Sequence, residues 1–167
     1  MTLTVTEQTD DDWPDVWRIL EPVVRAGDSY PLPLDYTEEQ TRSFWIKTDG
    51  YNAVARDEDG TIIGVYYIKP DQGGPGNHIC NAGYAIAVKA RGKGYAVELC
   101  VQSQEQARAQ GYKGMKYNLV VSTNTGAIKA WEKAGLQIIG TVPGAFRHPD
   151  QGFVDAYIMY RSLIADK

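Results

Sequence analysis

The feature that most constrains this chain is the junction spanning residues 78–111. The run H-I-C-N-A-G-Y-A-I-A-V (His78–Val88) is long and almost wholly apolar, the composition of a central strand covered on both faces. K-A-R-G-K-G follows directly, and Tyr95–Gln110 then reads as a helix closed by Gly111. A buried strand, a glycine turn and a helix in succession require a layered α/β fold. They also read as an anion site or as an ordinary turn with surface cations; the anion reading rests on the first N–H groups of the helix, which have no partner within it and carry partial positive charge. Gly92 and Gly94 let the backbone approach a ligand and take positive φ, and Arg91 and Lys93 add charge. Two well-known phosphate turns do not fit. No Ser or Thr follows Lys93 or Gly94 as a Walker loop needs, and Val97 stands where a dinucleotide turn would have its third glycine.

The flanking segments supply the other layers. Leu3–Thr6 reads as a short strand. A helix should follow, capped by Asp10–Asp12, with Trp13, Val16, Trp17, Leu20 and Val24 as its apolar stripe, a kink at Pro22 and a stop at Gly27. Asp28–Tyr36 is a loop rich in proline and tyrosine, read either as a stiff lid or as an exposed turn. Thr37 caps a second helix expected to reach about Thr48. Tyr51–Arg56 and Thr61–Ile68 read as strands of a hairpin turned by D-E-D-G. Beyond the junction come a strand at Met115–Val121, a helix of about ten residues from Asn124 to Gly135, a strand at Leu136–Val142, a Pro- and Gly-bearing loop, and a last strand at Phe153–Tyr160. No repeat, low-complexity tract or linker divides the 167 residues, which suit one domain.

Charge narrows the possible partners. A net charge of −4 argues against a broad nucleic-acid surface, so any anion site is a local cluster of donors on an acidic body. Cys80 and Cys100 lie in apolar segments and read as buried free thiols. His78 and His148 have no partners at metal-ligand spacing, so no metal is expected. The first residues do not form a signal peptide and no apolar run is long enough to span a bilayer, which makes a cytoplasmic protein the expectation, with no membrane partner.

Arg91-Gly92-Lys93-Gly94-Tyr95-Ala96 resembles the [QR]-x-x-G-x-[GA] signature of the GCN5-related N-acetyltransferase (GNAT) superfamily. Asn124-Thr125-x-Ala127-Ile128-x-x-Trp131-x-x-x-Gly135-Leu136 is similar to that family's second conserved block. The resemblance implies one N-acetyltransferase domain over residues 1–167. Its mixed central sheet would have six to seven strands, with the fourth and fifth splayed, flanked by four helices. It implies acetyl-CoA as co-substrate, with its pyrophosphate on the amides of Arg91–Ala96 and its pantetheine on the Val88 backbone between the parted strands. N-A-G-Y, N-L-V-V-S-T-N and the V-P-G-A-F-R…V-D-A-Y-I-M-Y-R tail are similar to a subgroup acting on azetidine-2-carboxylate and other proline analogues.

The chain also departs from the family pattern. Trp131 stands where a tyrosine usually protonates the departing thiolate, and an indole N–H is no acid near neutral pH. It reads as a packing or cofactor-flanking aromatic. His78–Val88 contains no Asp or Glu to act as a base. Asn81 and Asn118 are the polar residues of the two splayed strands, read as substrate ligands or as satisfied structural amides. The resemblance implies the substrate role, and gives Asn124 a cofactor contact beside its capping role. It also puts Tyr84 in the acceptor site, where Tyr30 of the first loop would shape the pocket. A backbone N–H near Ile86 would polarise the thioester, while Asn81 and Asn118 would orient a small amine, through its carboxylate where it has one. Asp155 is read as a base or a structural partner. The functional expectation is acetylation of a small-molecule amine, an amino acid or an analogue. The alternatives are acetylation of a protein or peptide amino terminus, and a non-catalytic acyl-CoA sensor. The family is often dimeric, so a homodimer is allowed.

Overall fold

In the computed structural model, which describes residues 2–164, seven strands share one sheet. They are β1 (Thr4–Glu7), β2 (Tyr51–Arg56), β3 (Ile62–Pro70), β4 (Ile79–Ile86), β5 (Gly114–Val121), β6 (Gln137–His148) and β7 (Gly152–Ser162). Their order is β1-β2-β3-β4-β5-β7-β6, and every neighbouring pair is antiparallel except β4 with β5. Four α-helices cover the two faces: α1 (Trp13–Ala26), α2 (Glu38–Trp45), α3 (Tyr95–Ala109) and α4 (Thr125–Lys133).

Strand periodicity divides the core between these faces. Successive side chains of β3 point to opposite sides, so Val65 and Tyr67 pack with Val16, Leu20 and Trp45 under α1 and α2. Tyr66 and Ile68 pack with Leu99, Met115 and Trp131 under α3 and α4. The α1 stripe buries Trp13, Val16, Leu20 and Val24 as expected, and adds Ile19 and Val23; each such aliphatic contributes on the order of 2 kcal/mol. α1 runs through Pro22 and stops at Gly27, whose φ of 62° is left-handed.

Three boundaries differ from the sequence expectation. α2 ends at Trp45 rather than near Thr48, because Ile46 is already extended. β4 ends at Ile86 rather than Val88, which instead opens a 3-10 turn, Val88–Ala90. β6 runs on through Pro143 and Gly144 to His148, where a loop was expected. It is an edge strand, so a proline with no N–H to give costs the sheet nothing on that side.

The parallel pair opens into a fork. β4 and β5 are in register only at Ile79↔Gly114, Cys80↔Met115 and Asn81↔Lys116, although both strands continue beyond. Two local causes coincide there. Asn81 Nδ2 donates to the Lys116 carbonyl at 3.0 Å, a side chain closing the ladder. On its other edge β5 shifts register against β7 between Tyr117 and Val120, a bulge-type irregularity that bends a strand away from its former neighbour.

Candidate active site

The glycine turn delivers the expected donor geometry. Gly92 and Gly94 have φ of 75° and 84°, and Gly94 is the N-cap of α3 with no side-chain cap. A Cβ added at either glycine would meet no protein atom within 4 Å, so the space beside them is open. Arg91, Gly92, Gly94, Tyr95 and Ala96 line a cavity of about 790 Å³ that continues into the fork. Lys93 is not among its lining residues; Val88, also outside the wall, is 59% exposed.

Inside the fork, the backbone of β4 faces the opening. Tyr84 N–H donates to the Tyr30 hydroxyl at 2.7 Å, and that hydroxyl donates to the Tyr84 carbonyl at 2.8 Å. One side chain thereby satisfies both groups that a neighbouring strand would have paired. Ile86, two residues on, turns its backbone the same way, whereas Ala87 N–H donates to Ile63 on the β3 side. The Tyr30 ring stands edge-on to Trp45 at 5.9 Å, and its loop is tied down where Arg25 Nη1 donates to the Leu34 and Tyr36 carbonyls. Burial, with a smaller effect from Tyr67, pushes the Tyr30 phenol well above its usual pKa, so it stays protonated.

Beneath the fork lies an aromatic floor. Trp131, 9% exposed, packs with ring centroids 4.8 Å from Tyr84 and 5.6 Å from Tyr117, and it lines the cavity. The Tyr84 hydroxyl lies 2.6 Å from Ser103 Oγ and accepts from Tyr117 at 2.6 Å. The Tyr84 ring is therefore committed to the α3 side, and its backbone is what faces Tyr30. Burial raises the pKa of both phenols, so neither is a base near neutral pH. Asn124 caps α4 by accepting from Ala127 N–H at 3.3 Å and lines the cavity from the β5 side.

The opposite face of the fork carries Asn81 and Asn118, both in the cavity wall. Asn118 Nδ2 donates to Asp71 Oδ1 at 2.7 Å, and Lys116 Nζ lies 3.2 Å from Asp71 Oδ2. Burial alone would raise the Asp71 pKa. Hydrogen bonds from Asn118 and Lys116, and the lysine's charge, outweigh it and hold the carboxyl below its usual value. Gly83 leaves room for the Tyr67 ring on this face, since a Cβ there would lie 2.5 Å from ring atoms. Asp155 accepts from Gly144 N–H at 3.0 Å across the β6–β7 hairpin, the contact of a structural partner.

Sequence reasoning missed three residues. Asp71 follows the last residue of β3 in a loop-like P-D-Q-G-G context that gives no sign of its partner 47 residues away. His148 and Gln151 reach the cavity from the β6–β7 turn. His148 Nδ1 accepts from the N–H groups of Asp150 and Gln151, which leaves the proton of the neutral ring on Nε2. A histidine in an R-H-P-D-Q turn carries no sequence mark of this. Among the described residues no group of His, Cys, Asp and Glu could hold a metal ion, and no helix is long and apolar enough to cross a membrane.

Comparison with known proteins agrees with this geometry. Residues 11–136 match the family described as Acetyltransferase (GNAT) family. The N-acetyltransferase aca1 of Schizosaccharomyces pombe is 28% identical over 151 residues, covering 81% of this chain and 72% of that protein. A solved GCN5-related N-acetyltransferase from Kribbella flavida is 37% identical, with a TM-score of 0.90 over 96% of this chain and 97% of that one. A phosphinothricin acetyltransferase from Sinorhizobium meliloti, solved in complex with AcCoA, shares the fold at 20% identity, with a TM-score of 0.84 over 97% and 89% of the two chains.

Proposed function

The chain belongs to the acetyltransferase (GNAT) family, and from that premise we propose that it acetylates the amine of a small, amino-acid-like molecule. It is an N-acetyltransferase with acetyl-CoA as co-substrate. The observation that carries the small-molecule reading is the Tyr30 loop. Asp28–Pro31 line the cavity and Arg25 holds their loop through the Leu34 and Tyr36 carbonyls, so the acceptor space lies under a tied-down segment.

The residues present fit the co-substrate. Open glycine backbone, the uncapped start of α3 and Arg91 suit a diphosphate, and the unpaired edge of β4 suits an amide-bearing chain. We place the pantetheine amide and the thioester carbonyl on the N–H groups of Tyr84 and Ile86 rather than on Val88, because the strand ends at Ile86. Bound acetyl-CoA supplies an activated acyl group. An edge N–H stabilises the carbonyl oxygen as charge grows on it, and Asn81 and Asn118 orient the amine. The N–C bond forms as the C–S bond breaks. The amine's proton leaves to water, and the thiolate takes one back. Trp131 packs and does not protonate. Alignment of two reactants supplies about 7 kcal/mol or more, enough for turnover without a dedicated acid.

The test is thiol release from acetyl-CoA with a panel of amino acids, alkylamines and short peptides. Release with small amines and not with peptides is expected; release with peptides alone overturns the reading. A second expectation concerns Tyr30, whose hydroxyl must leave the Tyr84 backbone for the thioester arm to take its place. Tyr30→Phe should cost the ligand-free protein about 1–2 kcal/mol, roughly 5 °C in Tm, and saturating CoA should recover most of it. An equal loss with and without CoA in a thermal scan would mean that Tyr30 is never displaced.

A further inference from the structure

Which atoms of the two fork asparagines face the acceptor follows from what their other ends already hold. Asn118 meets the Asp71 carboxylate at 2.7 Å, and an ionised carboxylate only accepts, so the amide end turned to it is the NH₂. Asn81 meets the Lys116 carbonyl at 3.0 Å, which also only accepts. In each amide the atom left over is the carbonyl oxygen. The two side chains stand on opposite prongs of the fork and on one face of the sheet. Asn81 is the register partner of Lys116, and Asn118 lies two residues beyond it. The shared contact of Lys116 and Asn118 with Asp71 fits that common face.

We infer that Asp71 is a positioning residue that locks Asn118 with its oxygen toward the cavity, so that the fork seats the N–H bonds of the acceptor amine and not its carboxylate. This rests on the small-amine reading above and narrows it. A neutral amine can give its N–H bonds to amide oxygens while its lone pair stays free for the thioester carbon. A carboxylate in the same place would meet oxygens with no hydrogen between them. The Asp71 side chain is 4% exposed, so turning Asn118 over would set its amide oxygen against a buried carboxylate and leave that carboxylate without its donor.

The experiment compares norvaline with butylamine, which is the same chain without the carboxylate. Kinetics are measured in wild type, Asp71→Ala, Asp71→Glu and Lys116→Met. Asp71→Ala should raise the KM for both compounds by the same factor, about tenfold, with the KM for acetyl-CoA unchanged within about twofold. Asp71→Glu should restore part of the loss. Lys116→Met, which removes the ion pair and keeps the Asn118 contact, should leave both acceptor KM values within about twofold. A rise confined to norvaline overturns the proposal, because the lost contact would then be to the carboxylate. An equal rise in Lys116→Met overturns it as well, because the ion pair would be the cause. The lock itself is read without turnover. Solvent exchange of the Asn118 side-chain NH₂ protons, followed by NMR, should be at least about tenfold faster in Asp71→Ala than in wild type. Equal exchange overturns the lock whatever acceptor the enzyme takes, whereas slow exchange in a protein that acetylates neither compound condemns the small-amine reading alone.

Discussion

Gly94→Val is expected to raise the KM for acetyl-CoA by about a hundredfold while leaving the acceptor KM within about twofold. Gly94 has φ of 84° as the N-cap of α3, a conformation that costs a β-branched residue on the order of 1–3 kcal/mol. The loss does not come from protein packing, since a Cβ there meets no protein atom within 4 Å. It comes from strain in the turn and from a side chain occupying the space a diphosphate needs to reach the helix N–H groups. Together these amount to about 3 kcal/mol, and each 1.4 kcal/mol is a factor of ten. Steady-state kinetics with varied acetyl-CoA, and calorimetric titration with CoA, check the expectation. A KM within about threefold of wild type removes this turn from the binding site.

Asn118→Ala should lower kcat/KM for the acceptor roughly 10- to 100-fold, the worth of one hydrogen bond to a charged or reacting group. Asn118 is exposed, and Asp71 keeps Lys116 as a partner when the amide is gone. The folded protein should therefore survive, with Tm within roughly 3 °C of wild type. Its KM for acetyl-CoA should not move, because Asn118 is no part of the Arg91–Ala96 turn. Unchanged acceptor kinetics would strip Asn118 of any part in the reaction, and a large fall in Tm would make it a structural amide.

The glycine turn of the candidate site is legible because its parts are neighbours in the chain. Arg91 to Ala96 are consecutive, and glycine at 92 and 94 announces positive φ wherever it occurs in such a turn. Asn124 was legible for the same reason: a cap and its N–H partner lie three residues apart. The splay of β4 and β5 was foreseen through the resemblance, but its cause was not. It depends on Asn81 reaching Lys116 across 35 residues, and on a shift of β5 against β7. The acceptor half was read least well. Asn81 and Asn118 stand out as amides in apolar strands, but the carboxylate that Asn118 meets lies just past the end of β3 in a loop-like stretch, and His148 ends β6 in a segment whose sequence reads as a loop.

By itself, the amino-acid order determined the layers and the anion turn, because hydrophobic period, glycine conformation and helix capping act over a few bonds and hold wherever the segment ends up. Only the tertiary structure decided which way the amides face, which hydroxyl fills the parted strand edge and which strand Asp71 meets. Each of those is a hydrogen bond between groups remote in sequence, and direction in a hydrogen bond exists only once both ends have been brought together.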